Sequence, residues 1–253
     1  MSPPLALQLY TLRDLMAREF AGTLEQVAQI GYLGVETAFF SDNITLPDAA
    51  RIIRNLGLTV IAAHTEIPLG DDQAAVLALA ETFACRRIIW HGWPQAEEYN
   101  TIDGTKRLAE RYNRANQVAQ KNGLSFGLHN HWWEFEPVEG QYRYQILLDS
   151  LDPSIFFEVD TYWIKTAGLD PVAIVTELGN RAPLLHLKDG PARKGQPMVA
   201  VGDGLMDFPA ICQAAADNAD WLIVEMDDCA TDMLTAVEKS YRYLIQQGLA
   251  YGR

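Results

Sequence analysis

Short apolar runs alternate along this chain with longer stretches whose apolar positions recur at helical spacing. The runs that read as strands are Leu5–Leu9, Gly34–Thr37, Thr59–Ala63, Arg87–Trp90, Ser125–Asn130, Phe156–Asp160, Leu184–Lys188 and Trp221–Glu225. Each is short and apolar, as buried strands are. Between them, Leu24, Val27, Ala28 and Ile30 share one helical face, as do Ala49, Ile52, Ile53 and Leu56, and Val76, Leu79, Ala80 and Phe83. Leu108, Tyr112, Ala115 and Ala119 repeat the pattern, followed by Ile146, Leu147 and Ser150, by Val172, Ile174, Val175 and Leu178, and by Leu234, Val237, Tyr241 and Leu244. Gly31, Gly57, Gly123, Gly179 and Gly248 each follow such a stretch, where a left-handed residue commonly ends a helix.

Strands that alternate with helices imply parallel pairing and right-handed crossovers. Eight such units in 253 residues predict a (β/α)8 TIM barrel forming one domain over residues 1–253. The rival architecture is an open α/β sheet. It usually carries a Gly-rich turn after its first strand, and the segment Leu9-Tyr10-Thr11-Leu12-Arg13-Asp14 has no glycine.

Composition narrows the function. Hydrophobic residues make up 49% of the chain, enough for a large core, and the formal charge is −13. An acidic surface repels nucleic acid and anionic membranes, so neither is an expected partner. No broad basic field draws in phosphorylated substrates, although a local phosphate site stays open. Cys85, Cys212 and Cys229 form no C-x-x-C pair, and so sparse a set speaks for a reducing compartment rather than a disulfide scaffold. The opening Met1-Ser2-Pro3-Pro4 lacks the basic and apolar regions of a secretory leader, and no run of about 20 apolar residues is present. A cytoplasmic enzyme is the expectation.

Active sites of such barrels lie at the carboxyl ends of the strands. The chain has five histidines, and all fall there: His64, His91, His129, His131 and His186. Glu36, Asn130, Glu158, Asp160, Lys188, Asp189, Glu225, Asp227 and Asp228 lie in the same windows. Strand residues alternate faces. His129 and His131 therefore share a face, as do Glu158 and Asp160, and His186 and Lys188. Imidazoles and carboxylates that converge on one mouth suit a single divalent ion such as Zn, Mn, Co or Fe; Ca and Mg would favour an all-oxygen cage. Plainer roles compete. A lone His at a strand end is commonly a hydrogen-bonded structural residue. Glu36 could pair with Arg13, Asp227 and Asp228 could open the last loop, and the cysteines read as core or surface residues. Trp90, Trp93, Trp132, Trp133 and Trp163 all lie at or just past strand ends, which suggests an aromatic wall for a sugar ring.

The segment Gly127-Leu128-His129-Asn130-His131-Trp132-Trp133-Glu134-Phe135 resembles the H-N-H-x-x-E-F signature of one branch of the sugar phosphate isomerase/epimerase family, which are xylose isomerase-like barrels. Val159-Asp160-Thr161-Tyr162-Trp163, His186-Leu187-Lys188-Asp189 and Val224-Glu225-Met226-Asp227 resemble its motifs on strands six, seven and eight. Gly202-Asp203-Gly204 with Asp207 and the opening Gln8-Leu9-Tyr10-Thr11-Leu12-Arg13 fit as well. The resemblance implies one divalent metal held by Asp160, His186 and Glu225. Where the epimerases carry a Glu ligand on strand five, this chain has His129, and Glu134 is the nearest carboxylate in the following loop. It further implies proton removal next to a carbonyl on a keto sugar or cyclitol, with an isomerase, epimerase or dehydratase (lyase) outcome. On this reading His131 or Glu158 is the general base and Lys188 steadies the developing oxyanion. His64, His91, Trp163 and Glu36 bind substrate. Exposed aromatic residues near the rim would suit a homodimer. Two other readings remain: a metal-dependent hydrolase of the endonuclease IV-like branch, for which five histidines and a charge of −13 are poor equipment, and a non-catalytic sugar-binding barrel.

Overall fold

The computed structural model describes residues 2–41 and 43–253. Eight parallel strands close into a barrel: β1 (Leu5–Gln8), β2 (Gly34–Thr37), β3 (Thr59–Thr65), β4 (Arg87–Trp90), β5 (Ser125–His129), β6 (Phe156–Asp160), β7 (Leu184–Leu187) and β8 (Trp221–Val224). The barrel closes between β1 and β8, with Leu5 opposite Leu222 and Leu7 opposite Val224. This is the (β/α)8 architecture expected from the alternating pattern. Each of the seven helical patterns falls in a helix or on its last cap, the longest being Ile102–Lys121. Gly31, Gly57, Gly123, Gly179 and Gly248 all take positive φ at the helix ends.

Besides short turns of helix such as Arg13–Met16, three elements outside that reading shape the loops. Helix Phe208–Ala215 completes the crossover between β7 and β8, with Asp207 accepting the Ala210 N–H as its cap. Its apolar face of Phe208, Ile211, Cys212 and Ala215 has helical spacing but spans only two turns. A short helix, Thr161–Thr166, starts directly at the end of β6. A two-stranded antiparallel ribbon, Pro137–Val138 with Gln141–Tyr142, leads from β5 toward helix Arg143–Ser150.

The strand period of two stacks the interior in layers. Ala6, Ile61, Ala62, Ile89, Phe156, Leu184 and Ile223 form a separate buried cluster inside the barrel. Gly127 belongs to the same level: a Cβ there would enter the Phe156 ring, so β5 must carry glycine for the plug to close. Two residues further along these strands stand Gln8, His91, His129, Glu158, His186 and Glu225. Two more reach His131, Asp160 and Lys188. An apolar plug followed by polar residues of the same parity is what puts the chemistry at one end.

Candidate functional site

His186 sits at the centre, fully buried. Its Nδ1 lies 2.6 Å from Glu225 Oε2, and its Nε2 lies 2.7 Å from Glu36 Oε2 and 3.2 Å from Glu158 Oε2. Gln8 donates to the same Glu36 oxygen at 2.6 Å. His64 Nε2 is 2.5 Å from Glu158 Oε2 and 3.3 Å from Glu36 Oε2. Two groups of donor atoms result, each with all its atoms within 4.8 Å of one another: Glu36, His64, Glu158 and His186 below, and His129, Asp160, His186 and Glu225 above.

The two groups differ in how well they satisfy themselves. The lower one is knitted together by the contacts just given, although one oxygen each of Glu36 and Glu158 has no partner. In the upper one both His129 nitrogens are buried without a hydrogen-bond partner, while Asp160 Oδ2 faces the Lys188 ammonium at 3.0 Å. Asp160 Oδ1 is committed elsewhere: it accepts the Trp163 N–H at 3.0 Å and caps helix Thr161–Thr166, which aims Oδ2 at the group. Asn130 clamps the same residue, taking its N–H at 2.9 Å and donating to its carbonyl at 3.1 Å. Two imidazoles and two carboxylates with donor atoms within 4.8 Å of one another are a set that could hold a divalent ion such as Zn, Mn, Co or Fe. The four residues expected as ligands thus lie together.

Lys188 is the cation of the site. Its ammonium is 2.9 Å from Glu225 Oε2, 3.0 Å from Asp160 Oδ2 and 3.1 Å from Asp227 Oδ1. Burial opposes its charge, but Asp160, Asp227 and Glu225 outweigh that and raise its pKa well above the usual lysine value. Burial likewise opposes the charge on Glu225, and Lys188 and His186 overcome it and hold the carboxyl well below its ordinary range. His186 is pushed up against its burial by Glu158, Glu225 and Glu36. Glu36 rises to about 8, through burial first and the neighbouring Glu158 second. His129 is kept far below the usual histidine value by burial and then by His186, so it offers neutral nitrogens. His131 falls to about 3, by burial and then by Lys188.

Above this floor opens a cavity of about 360 Å³. Among its lining residues are His64, His91, His129, His131, Lys188 and Glu225. His131 stacks on Trp133 at 4.2 Å, and its Nδ1 packs beside Gly92 without a hydrogen-bond partner, which leaves Nε2 as the edge toward the cavity. Gly92 has φ +77, and a Cβ there would meet the His129 carbonyl oxygen at 3.1 Å. His91 Nδ1 accepts the Trp93 N–H at 3.1 Å.

Several residues take other places than the sequence suggested. Glu158 and Glu36 do not line the cavity; they stand behind His64 and His186. Glu36 does not pair with Arg13, which instead donates to the carbonyls of Tyr10 and Asp227. Glu134 takes the His131 N–H at 2.9 Å and lies outside the ligand group; burial lifts its pKa to about 8. The wall of five tryptophans reduces to three. Trp93, Trp132 and Trp163 line the cavity, Trp133 is buried behind His131, and Trp90 has the wrong parity and lines a separate small cavity with Tyr99, Tyr112 and Leu128. Asp189 is structural: its two oxygens accept the N–H groups of Gly190, Gly202, Gly204 and Met206. Gln8, Tyr10 and Phe39 contribute without having been singled out as site residues. Gln8 was legible by parity, two residues beyond Ala6.

The family model for xylose isomerase-like TIM barrels matches residues 24–247. The chain belongs to that family. A search of curated proteins finds no match. Among solved structures, this family member is similar to a sugar phosphate isomerase/epimerase from Parabacteroides distasonis, at 23% identity and TM-score 0.82, covering 99% of this chain and 96% of the other. A probable 3-DHS dehydratase from Bacillus anthracis aligns at 15% identity and TM-score 0.75, covering 96% and 98%. An L-ribulose 3-epimerase aligns at 19% and TM-score 0.71, covering 98% and 94%. At these identities the likeness establishes the shared barrel.

Proposed function

We propose that this barrel is a divalent-metal-dependent enzyme that moves a proton next to a carbonyl of a keto sugar or cyclitol, as an isomerase, epimerase or dehydratase. The observation that carries the reading is the convergence of His129, Asp160, His186 and Glu225, with both His129 nitrogens buried and unpartnered, on the floor of a substrate-sized cavity. Those four residues would hold the metal, which supplies Lewis-acid polarisation of a substrate oxygen. The Lys188 ammonium, fixed by three carboxylates, places a permanent positive charge where an oxyanion develops. His131 at Nε2, or Glu158 acting through His64, would receive the carbon-bound proton once that carbon is acidified by the metal. His64, also in the cavity wall, is backed by Glu158 at 2.5 Å in a carboxylate–imidazole pair that carries a second proton. The rings of His64 and His131 each stand beside His129, at 5.2 and 5.0 Å. Two proton carriers flanking one site suit either return of the proton to the opposite face or protonation of a leaving hydroxyl.

Likeness to a probable dehydratase and to an epimerase supports the class without choosing between outcomes. The test is elemental analysis of the purified protein together with turnover of keto sugars and inososes before and after chelation. Bound metal and chelator-sensitive turnover are expected. A protein that takes up no divalent ion overturns the reading.

A further inference from the structure

Lys188 holds oxygens that a divalent ion would also use. Its ammonium is 3.0 Å from Asp160 Oδ2 and 2.9 Å from Glu225 Oε2. These oxygens face the two imidazoles of the upper group: His129 Nε2 lies 3.5 Å from Asp160 Oδ2, and His186 Nδ1 lies 2.6 Å from Glu225 Oε2. An ion seated among His129, Asp160, His186 and Glu225 therefore draws on the same two carboxylates as Lys188. Lys188 is buried, so little solvent screens the repulsion between its ammonium and a divalent ion there.

Asp227 is the third partner, and it differs from the other two. Both of its oxygens accept from the Lys188 ammonium, at 3.1 and 3.2 Å, and it belongs to neither of the two donor groups. Its side chain is 35% exposed and lines the cavity. The backbone around it is anchored from three sides. Its N–H meets Met198 Sδ at 3.4 Å, its carbonyl accepts from Arg13 at 2.8 Å, and the preceding Met226 N–H is bound by Thr11 Oγ1 at 3.1 Å. Trp163, another lining residue, sets its ring 5.4 Å from the same ammonium, within reach of a cation–π contact. The charges agree. Asp160, Glu225 and Asp227 together balance one ammonium and one divalent ion, whereas the two ligand carboxylates alone balance only the ion.

We infer that Asp227 is a positioning residue: it keeps Lys188 when Asp160 and Glu225 are taken by the metal, so that ion and ammonium share the cavity floor. This inference rests on the metal-site reading. Asp227 thereby strengthens metal binding without being a ligand, and it holds the ammonium at the cavity wall beside Trp163. Lys188 weakens metal binding in turn, because the two cations compete for two carboxylates.

Calorimetric titration of the chelator-treated full chain with Mn2+ tests this in a double-mutant cycle. Asp227→Asn should bind Mn2+ about tenfold or more weakly than the parent. Lys188→Met should bind it more tightly than the parent. In the Lys188→Met background, the loss caused by Asp227→Asn should be smaller by about fivefold or more. Fixed charges would act on the ion additively, so this coupling reads the repositioning of Lys188 itself. The same loss in both backgrounds would overturn the inference, because Asp227 would then act on the ion directly. Parental affinity in Asp227→Asn, or weaker binding in Lys188→Met, would overturn it too. Thermal unfolding gives a reading that leaves Lys188 in place. With chelator, Asp227→Asn should melt close to the parent, and with Mn2+ it should gain less than the parent gains. An equal loss under both conditions marks a merely structural role and also overturns the inference. A parent chain that takes up no divalent ion would instead remove the metal reading, and this inference with it.

Discussion

At the scale of single residues, the two nitrogens of His186 divide the work. Glu36 receives Nε2, and Gln8 fixes Glu36 in turn, so Nδ1 is the edge turned toward Glu225. A partner of this kind sets tautomer and ring orientation for a ligating histidine. Glu36→Ala should therefore lower metal affinity by about 10- to 100-fold, read by titration with Mn2+, while circular dichroism shows the barrel intact. Unchanged affinity would make Glu36 a packing residue. Glu134 gives a second, independent prediction. Its folded pKa of about 8 lies above the ordinary value of 4.5 because burial disfavours its charge. The unfolded chain ionises first, so this residue costs nothing below about pH 4.5 and its penalty grows until about pH 8. Glu134→Gln keeps an acceptor for the His131 N–H and removes the ionisation. Its unfolding free energy in urea should gain on the parent from pH 5 to pH 8, by up to a few kcal/mol on the order expected for a fully buried carboxyl. A gap independent of pH contradicts this.

At the scale of elements, the loop after β7 is organised by one carboxylate. Asp189 takes four backbone N–H groups from Gly190, Gly202, Gly204 and Met206, and a Cβ on Gly204 would collide with it. Asp189→Ala leaves those donors unpaired and should cost about 3 kcal/mol or more, measured by urea unfolding. Gly204→Ala should act in the same direction, and hydrogen exchange should show the loss confined first to residues 190–206. The G-x-G stretch around Asp203 was visible in the sequence as a motif, but its purpose was not, because an acceptor shared by its neighbour Gly190 and by three donors 13 to 17 residues further on leaves no periodic trace. Strands and long helices were legible for the opposite reason: each repeats its own period several times. Helix Phe208–Ala215, with two turns, and the ribbon at Pro137–Val138 and Gln141–Tyr142 are too short to do so. Parity anticipated that His129, Asp160 and His186 meet, since they follow Gly127, Phe156 and Leu184 on the inward faces. It could not tell that Glu158, inward as well, would be screened from the cavity by His64, because depth inside a barrel depends on the stagger between strands.

At the scale of the whole molecule, an apolar plug closes one end of the barrel and confines every ionisable interior group to the other. Among the described residues no helix is long and apolar enough to cross a membrane. The chain's charge of −13 disfavours polyanions overall, and a nucleic-acid substrate is not part of the proposed reaction. The central claim is that His129, Asp160, His186 and Glu225 serve a metal that makes a carbon-bound proton labile. Mass spectrometry of a keto sugar or inosose held in D2O with the protein tests it most directly. With Mn2+ present, deuterium should enter the carbon next to the carbonyl. The label should disappear after chelation and fall at least 100-fold in Asp160→Ala, a loss of about 2.7 kcal/mol of transition-state stabilisation. No label with any divalent ion, or equal label after chelation, would contradict the account.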